Sequence, residues 1–145
     1  MKRLIIFLSI LLIPAISLYS QNWLTDFEKA KEQASADDKP IILVFSGSDW
    51  CVPCMKLERE IWEKETFIDY ADSNYVMLRA DFPKRKKNRL PEAQQKHNEM
   101  LAEKYNSTGA FPLVVVLDAE GNVLGRTGYK SIEPEAYIEL LNSFK

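Results

Sequence analysis

The sequence predicts an α/β fold built around a mixed β-sheet, and three observations support this. Continuous apolar runs at 41–45 and 113–117 are typical of strands that are buried on both faces. Helical patterns alternate with strand-like runs, and strands joined through a helix run parallel. A turn sequence at 118–122 joins the run at 113–117 to another at 123–127, which predicts an antiparallel hairpin. The length of 145 residues suits one such domain.

The first twenty residues differ in character from the rest. Two cations precede an apolar run at 4–13, and a proline and small residues follow it. This pattern predicts a signal peptide over residues 1–20, cleaved after Ser17 or Ser20. The apolar run is shorter than the roughly 20 residues that span a bilayer, and an uncleaved anchor is the alternative. We therefore expect an exported mature domain over 21–145, periplasmic or secreted.

The first half of the mature chain contains two predicted helices around a buried strand. A capping box with Thr25 as N-cap and Glu28 at the third position begins a helix that runs to about Asp37. After the strand at 41–45, the spacing predicts a helix that follows Cys51 and ends near residue 62. A short helix at 65–71 and a strand at 75–81 come next, and that strand should run parallel to the strand at 41–45.

The second half begins with a basic run, Lys84 to Arg89, which a solvated loop explains best. The other interpretation of this run is a docking surface for an acidic partner or an anionic membrane. A helix over 91–105 follows, and a last helix opens at Ser131 and Glu133-Pro134. The predicted inner faces of these two helices are Ala93, His97, Leu101 and Tyr105, and then Tyr137, Ile138, Leu141 and Phe144. We expect His97 to be a packed residue rather than a catalytic base.

The most informative feature is the only pair of cysteines, in Cys51-Val52-Pro53-Cys54 between a strand and a helix. This placement favours a redox pair, because a helix N-terminus stabilises a thiolate, the form that attacks disulfides. As a structural staple, so small a loop would stabilise the fold by only about 2 kcal/mol. Structural zinc needs four ligands, and two cysteines with one histidine do not supply them, so we expect no metal and no cofactor. A zinc site shared between two chains is the alternative.

Three features together identify a resemblance to the thioredoxin-like superfamily over residues 24–145. They are Trp50 with the cysteine pair after a buried strand, Phe111-Pro112 before the hairpin, and Gly128 after the last strand. The lead-in at 49–52 is similar to exported bacterial thioredoxin-like proteins, including the periplasmic C-terminal domain of thiol:disulfide interchange proteins. The resemblance implies a thioredoxin-like fold, with a central four-stranded mixed sheet flanked by helices and a cis Pro112 beside the cysteines.

The chemistry and the resemblance together predict a role for each site residue. Cys51 is the expected nucleophile, exposed and with a lowered pKa, and the more buried Cys54 then attacks Cys51. One departure from cytosolic thioredoxins is Phe45, which stands where those proteins carry a buried acid. Another acid or water must then serve Cys54, or resolution is slower. The expected substrate groove consists of Trp50, Val52, Pro53, Phe111, Pro112, Gly128 and Tyr129.

These residues predict an exported thiol-disulfide oxidoreductase that reduces protein disulfides through a Cys51/Cys54 dithiol-disulfide cycle. The expected partners are disulfide-containing proteins and an upstream thiol donor, for which a membrane-embedded protein is one option. We expect a monomer, and the formal net charge of −2 gives no reason to expect nucleic acid. Two alternatives stay open: a binding module or chaperone that keeps an inert Cys51–Cys54 disulfide, and a disulfide isomerase.

Overall fold

The structure, a computed structural model, describes residues 21–145, so the signal peptide predicted at 1–20 lies outside the described residues. The predicted strands and helices are present, with small shifts at their ends. The predicted helix after Cys51 consists of a short α-helix that continues as a π-helical turn. The elements are β1 (Trp23–Leu24), α1 (Phe27–Asp37), β2 (Ile41–Ser46), α2 (Val52–Leu57), the π-helical turn (Glu58–Trp62), α3 (Glu65–Asn74), β3 (Val76–Asp81), a 3₁₀ turn (Lys86–Asn88), α4 (Glu92–Tyr105), β4 (Leu113–Leu117), β5 (Val123–Thr127) and α5 (Pro134–Asn142).

The sheet is mixed, with strand order β1-β3-β2-β4-β5. Strands β2 and β3 are parallel and β4 pairs antiparallel with β2 and β5, so the predicted βαβ unit and hairpin are confirmed. The expected number of four strands is one too low, because β1 pairs in parallel with β3 through Trp23 and Met77. A strand of two residues carries no alternation that a sequence pattern can reveal. Trp23 holds it in place, with an edge contact to Trp62 at 6.1 Å between ring centroids.

The predicted cap of α1 is wrong by one residue. Asp26, and not Thr25, is the N-cap, and its carboxylate accepts a hydrogen bond from the backbone N–H of Lys29 at 3.0 Å. That hydrogen bond holds the pKa of Asp26 below its usual value. Both side chains are competent caps. The carbonyl of Thr25 instead accepts a hydrogen bond from the side chain of Gln94, which ties the entry of α1 to α4.

Helix α4 buries Asn98, while Ala93 of the predicted face is exposed. The Asn98 side chain donates to the carbonyl of Asp81 at 2.9 Å and accepts from Gln94, so its burial costs no unpaired polar group. The hydropathy pattern could not identify a polar residue as an inward-facing one. His97 lies half-buried and accepts a hydrogen bond from the backbone N–H of Phe27 at 3.2 Å, in agreement with the expected packing role.

Two apolar clusters cover the faces of the sheet, one beneath α2, α3 and α5, and the other beneath α1 and α4. Three of the four predicted inner residues near α5, namely Tyr137, Ile138 and Leu141, are buried. Phe144 lies beyond the end of α5 and is half-buried against the first cluster. Within residues 21–145, none of the helices has the length and apolar character needed to cross a membrane.

Candidate functional site

The two cysteines form a disulfide where the loop after β2 enters α2, with their Cα atoms 5.2 Å apart. Cys51 is the N-cap of α2, and its sulfur accepts a hydrogen bond from the backbone N–H of Cys54 at 3.3 Å. Pro53 lies in the first turn, where a helix needs no backbone N–H from it. The predicted placement of the pair at a helix N-terminus is therefore confirmed.

The predicted difference in burial between the two cysteines is wrong, since Cys51 and Cys54 are each only 4% exposed. The capping geometry explains this. The Cys51 sulfur is turned onto the helix end and bonded to the Cys54 sulfur, so it does not project into solvent. Their apolar neighbours Val52 and Met55 are exposed, at 60% and 38%. Because disulfide-bonded sulfur does not titrate, the lowered pKa of Cys51 stays a prediction.

The loop before Cys51 is fixed to the end of β3 by side-chain hydrogen bonds. The Asp81 carboxylate accepts from the backbone N–H of Ser48 at 2.9 Å and from its hydroxyl at 2.6 Å. The indole N–H of Trp50 donates to the carbonyl of Phe82 at 2.7 Å. These contacts hold Trp50 in one orientation beside the disulfide.

Gly47 is the residue that leaves room for that indole. A Cβ atom at this position would lie 2.6 Å from Nε1 and from Cζ2 of Trp50, distances that real Cβ atoms essentially never show. The ring therefore lies directly against the backbone of Gly47. Any larger residue at position 47 must displace Trp50 or the loop.

An aromatic chain connects Trp50 to the core. Phe45 stacks on Phe82 with ring centroids 6.5 Å apart, and Phe82 meets Phe111 edge to face at 5.5 Å. Phe111 in turn meets Trp50 at 5.4 Å, so the predicted wall of Trp50 and Phe111 is one packed unit. Phe45, which replaces the buried acid of cytosolic thioredoxins, lies at the base of this chain.

The expected cis peptide bond between Phe111 and Pro112 is present. Leu113 pairs with Phe45 in the sheet, so Pro112 lies at the same end of the sheet as the cysteine loop. Gly128 is adjacent, because a Cβ atom there would lie 3.2 Å from the carbonyl oxygen of Pro112.

Tyr129 lies toward another part of the site. Its hydroxyl donates a hydrogen bond to Glu60 in the π-helical turn, and this bond raises the pKa of Tyr129. The structure therefore brings together Trp50, Phe111 and, through the strand end, Pro112 and Gly128, whereas Tyr129 faces the π-helical turn.

An acid that the sequence patterns did not indicate lies in the same cavity as Cys54. Glu58 and Arg79 line a cavity of about 380 Å³ together with Cys54. One guanidinium nitrogen of Arg79 donates to both carboxylate oxygens of Glu58, at 2.9 and 2.7 Å. The signal that could have found Glu58 is its spacing of four residues from Cys54, which puts both side chains on one helix face.

A second missed residue is Asp49, two positions before Cys51. Its carboxylate accepts hydrogen bonds from the backbone N–H groups of Lys84 and Arg85 at 2.9 and 3.0 Å, and from the side chain of Asn88 at 2.9 Å. The bond from Lys84 contributes most to holding the pKa of Asp49 below its usual value. These bonds join the basic run to the cysteine loop. In the part of the chain that the structure describes, no group of three or more metal-ligating side chains could hold a metal ion.

Comparison with known proteins places this site in a family. The thioredoxin-like family model matches residues 22–119. The chain is 38% identical over 117 residues to the disulfide bond reductase DsbH of Chlamydia pneumoniae, covering 81% of this chain and 69% of that protein. A solved structure titled DsbH oxidoreductase superposes with a TM-score of 0.79 at 35% identity, covering 86% of this chain and 84% of that one.

A more distant structure agrees in fold alone. The oxidised C-terminal domain of DsbD from Neisseria meningitidis gives a TM-score of 0.56 at 17% identity, over 81% of this chain and 90% of that one. The family match, the similarity to DsbH and the Cys51–Cys54 pair at the start of α2 agree with one another. The chain belongs to the thioredoxin-like family and is a thiol-disulfide oxidoreductase.

Proposed function

We propose that this oxidoreductase is exported and reduces disulfides in other proteins, with Cys51 as the nucleophile and Cys54 as the resolving thiol. The observation that carries the assignment is the position of Cys51 at the N-cap of α2, next to the Trp50 and Phe111 wall. The similar Chlamydia protein is named a disulfide bond reductase, which supports the proposed direction of electron flow. Export rests on the predicted signal peptide.

In the proposed cycle, the Cys51 thiolate attacks one sulfur of a substrate disulfide and releases the other sulfur as a thiolate. A mixed disulfide between Cys51 and the substrate remains. Cys54 then attacks the Cys51 sulfur, which releases the second substrate thiol and forms the Cys51–Cys54 bond present in the structure. Two protein thiols are oxidised and one substrate disulfide is reduced. An upstream thiol donor must return the pair to the dithiol form.

Cys54 must lose a proton before it attacks, and we assign Glu58 as the acceptor. Its carboxylate shares a cavity with Cys54. The cavity of about 380 Å³ has room for a water molecule to connect the two groups. Arg79, bound to both carboxylate oxygens, orients Glu58. With this assignment, Cys54 has an acid in its cavity even though Phe45 occupies the strand position at which cytosolic thioredoxins carry one.

The substrate is proposed to bind as an extended chain along the wall at Phe111 and Pro112. Backbone pairing at such an edge supplies affinity with little dependence on sequence. Val52 and Pro53 are exposed beside the disulfide and would contact the residues that flank the substrate cysteine. Gly128 and Tyr129 bound the groove on the β5 side in this proposal.

The test uses two single variants of the mature protein from Gln21. Cys51→Ser is expected to abolish reduction of a protein disulfide. Cys54→Ser is expected to accumulate mixed disulfides that sodium dodecyl sulfate gels and mass spectrometry assign to Cys51. Mixed disulfides formed through Cys54 in the Cys51→Ser variant, with none formed through Cys51 in the Cys54→Ser variant, would refute the assignment of roles.

The direction of the reaction is tested by equilibration in graded thiol-disulfide buffers. A reversible midpoint below about −230 mV is expected for a reductase. A midpoint of about −180 to −120 mV would instead indicate an oxidase or an isomerase. Secretion of the chain fused to a reporter, lost on deletion of residues 1–20, tests the proposed export.

A further inference from the structure

The longest run of cationic residues in the described chain lies close to the cysteine loop, and the proposed catalytic cycle does not use it. The basic loop, defined as residues 84–89, contains five cations and no acid. All five side chains are exposed, and within residues 21–145 none of them takes part in a salt bridge. Removal of the predicted signal peptide takes away two cations and no acid, so the mature chain has a net charge of −4. The basic loop is therefore a positive cluster on a chain of opposite net charge. The five cations are Lys84, Arg85, Lys86, Lys87 and Arg89.

The basic loop has a defined position because Asp49 holds its backbone. Three hydrogen bonds to the Asp49 carboxylate come from Lys84, Arg85 and Asn88. The donors are backbone N–H groups and the Asn88 amide, so these bonds use none of the cationic side chains. Since Asp49 is two residues from Cys51, these bonds hold the backbone of the basic loop close to the cysteine loop.

The loop also forms one side of a cleft that begins at the aromatic wall. The cleft has a volume of about 530 Å³, and both ends of the loop, Lys84 and Arg89, line it together with Trp50 and Phe111. The Lys84 ammonium lies 3.9 Å from the centroid of the Trp50 ring. Two carboxylates, Asp81 and Glu99, also line the cleft, but both oxygens of Asp81 accept hydrogen bonds from Ser48. A cleft of mixed aromatic and cationic character suits a peptide segment with acidic side chains.

We propose that the basic loop and this cleft bind an acidic segment of the substrate protein that flanks its disulfide, so that the loop selects among substrates. The proposal rests on the proposed function, since it concerns the partner of Cys51. The loop cations would interact with acidic side chains within the Debye length of about 8 Å at physiological salt. Opposite charges at such a site raise association rates, and added salt removes the effect. A concave cleft beside the nucleophile fits a chain segment better than a flat membrane, which would cover Cys51.

The experiment compares two synthetic peptides of equal length, each with one internal disulfide. The flanking residues are Asp and Glu in one and Ser and Gln in the other. Second-order rate constants are measured with reduced protein at low and high salt. We expect the wild-type protein to reduce the acidic peptide about tenfold faster at low salt, with a ratio near one at high salt. The readout is this ratio, which a general loss of activity does not change.

The loop variant K86E/K87E is compared with the matched control K29E/R126E. Both change the net charge equally, and Lys29 and Arg126 are exposed on α1 and on the edge strand β5. We expect the ratio to fall to one or below in the loop variant and to stay near ten in the control. Equal rates for the two peptides with wild-type protein, or an equal fall in the control, would overturn the proposal.

Two further outcomes distinguish this proposal from failure of the proposed function and from membrane binding by the basic loop. If neither peptide is reduced, the proposed function fails and this inference fails with it, whereas reduction at equal rates refutes only the inference. Co-sedimentation with vesicles of phosphatidylglycerol and phosphatidylcholine tests the membrane. Vesicle binding that K86E/K87E abolishes, together with equal peptide rates, would assign the loop to a membrane surface and overturn the proposal.

Discussion

Replacement of Gly47 by alanine is expected to destabilise the oxidised protein and to slow its reaction with substrates. Both effects arise from one steric contact with Trp50. The new methyl group would lie 2.6 Å from two atoms of the Trp50 indole. The tryptophan must therefore leave its place, since its neighbour here is a rigid ring and not the end of a flexible side chain. Displacement of Trp50 breaks the hydrogen bond from its indole N–H to the carbonyl of Phe82.

The size of the effect follows from the contacts that Trp50 loses. The hydrogen bond contributes about 1 kcal/mol. The edge contact with Phe111 adds about 0.5–1.5 kcal/mol, and the ammonium of Lys84 over the ring adds about 0.5–1 kcal/mol. The loss of glycine flexibility in the unfolded chain offsets about 0.4–1 kcal/mol. The net cost is then about 1–3 kcal/mol. With a urea m-value of about 2 kcal/mol/M, the unfolding midpoint falls by about 0.5–1.5 M.

The assay is urea unfolding of the oxidised protein, followed by circular dichroism, with the indole N–H resonance of Trp50 as a local probe. We also expect slower reduction of peptide disulfides, because the displaced ring no longer forms the groove wall. Gly109→Ala is the matched control. Its Cβ atom would meet nothing within 4 Å, and its cost is the strain of a positive φ of 67°.

The control should lose about 1 kcal/mol and keep the Trp50 resonance unchanged. If the urea midpoint of Gly47→Ala lies within about 0.2 M of the wild-type midpoint, the reasoning is refuted. An unshifted indole resonance would refute it too, because either result means that Trp50 does not lie against Gly47.

Three further predictions concern the cap of α1 and the acid beside Cys54. Asp26→Ala should cost about 1 kcal/mol in urea unfolding and Thr25→Ala much less, and the reverse order would restore Thr25 as the cap. Because the folded-state pKa of Asp26 is lowered, its stabilisation is present above its unfolded pKa and is lost as pH falls through the folded value. The stability difference between wild type and Asp26→Asn should therefore shrink in acid, and a difference that does not change with pH would contradict this. Glu58→Gln should slow resolution and prolong the mixed disulfide on Cys51 in stopped-flow measurements, whereas Glu63→Gln, also beside the cavity, should not.

The sequence predicted those parts of the fold that depend on neighbouring residues. The strands at β2 and β4 follow from continuous apolar runs, and the cysteine pair at the start of α2 follows from its spacing. Strand β1 could not be predicted, because its two residues are ordered by contacts with β3 and Trp62 that lie far away along the chain. The burial of Cys51 was missed for a related reason, since it depends on the direction in which the capping sulfur turns.

The aromatic and charged surroundings of the disulfide were also only partly predictable. Trp50 and Phe111 were expected at the groove, but their connection through Phe82 to Phe45 depends on the register of two strands. The bonding role of Asp49 could not be predicted, because its partners lie more than thirty residues later in the chain. Hydrogen bonds to backbone N–H groups leave no trace in the identity of the residues that donate them.

The absence of an acid at position 45 has a structural explanation that favours an active thiol pair over an inert one. A carboxylate at this position would lie among Phe82, Phe111 and their apolar neighbours, where its burial without a partner is costly. The aromatic ring instead supports the wall that carries Trp50. Glu58 supplies a carboxylate from the helix, where a spacing of four residues brings it to the same cavity as Cys54. In the proposed mechanism, strand β2 supports the groove and the helix that follows it serves the resolving thiol, so an active pair does not require an acid at position 45.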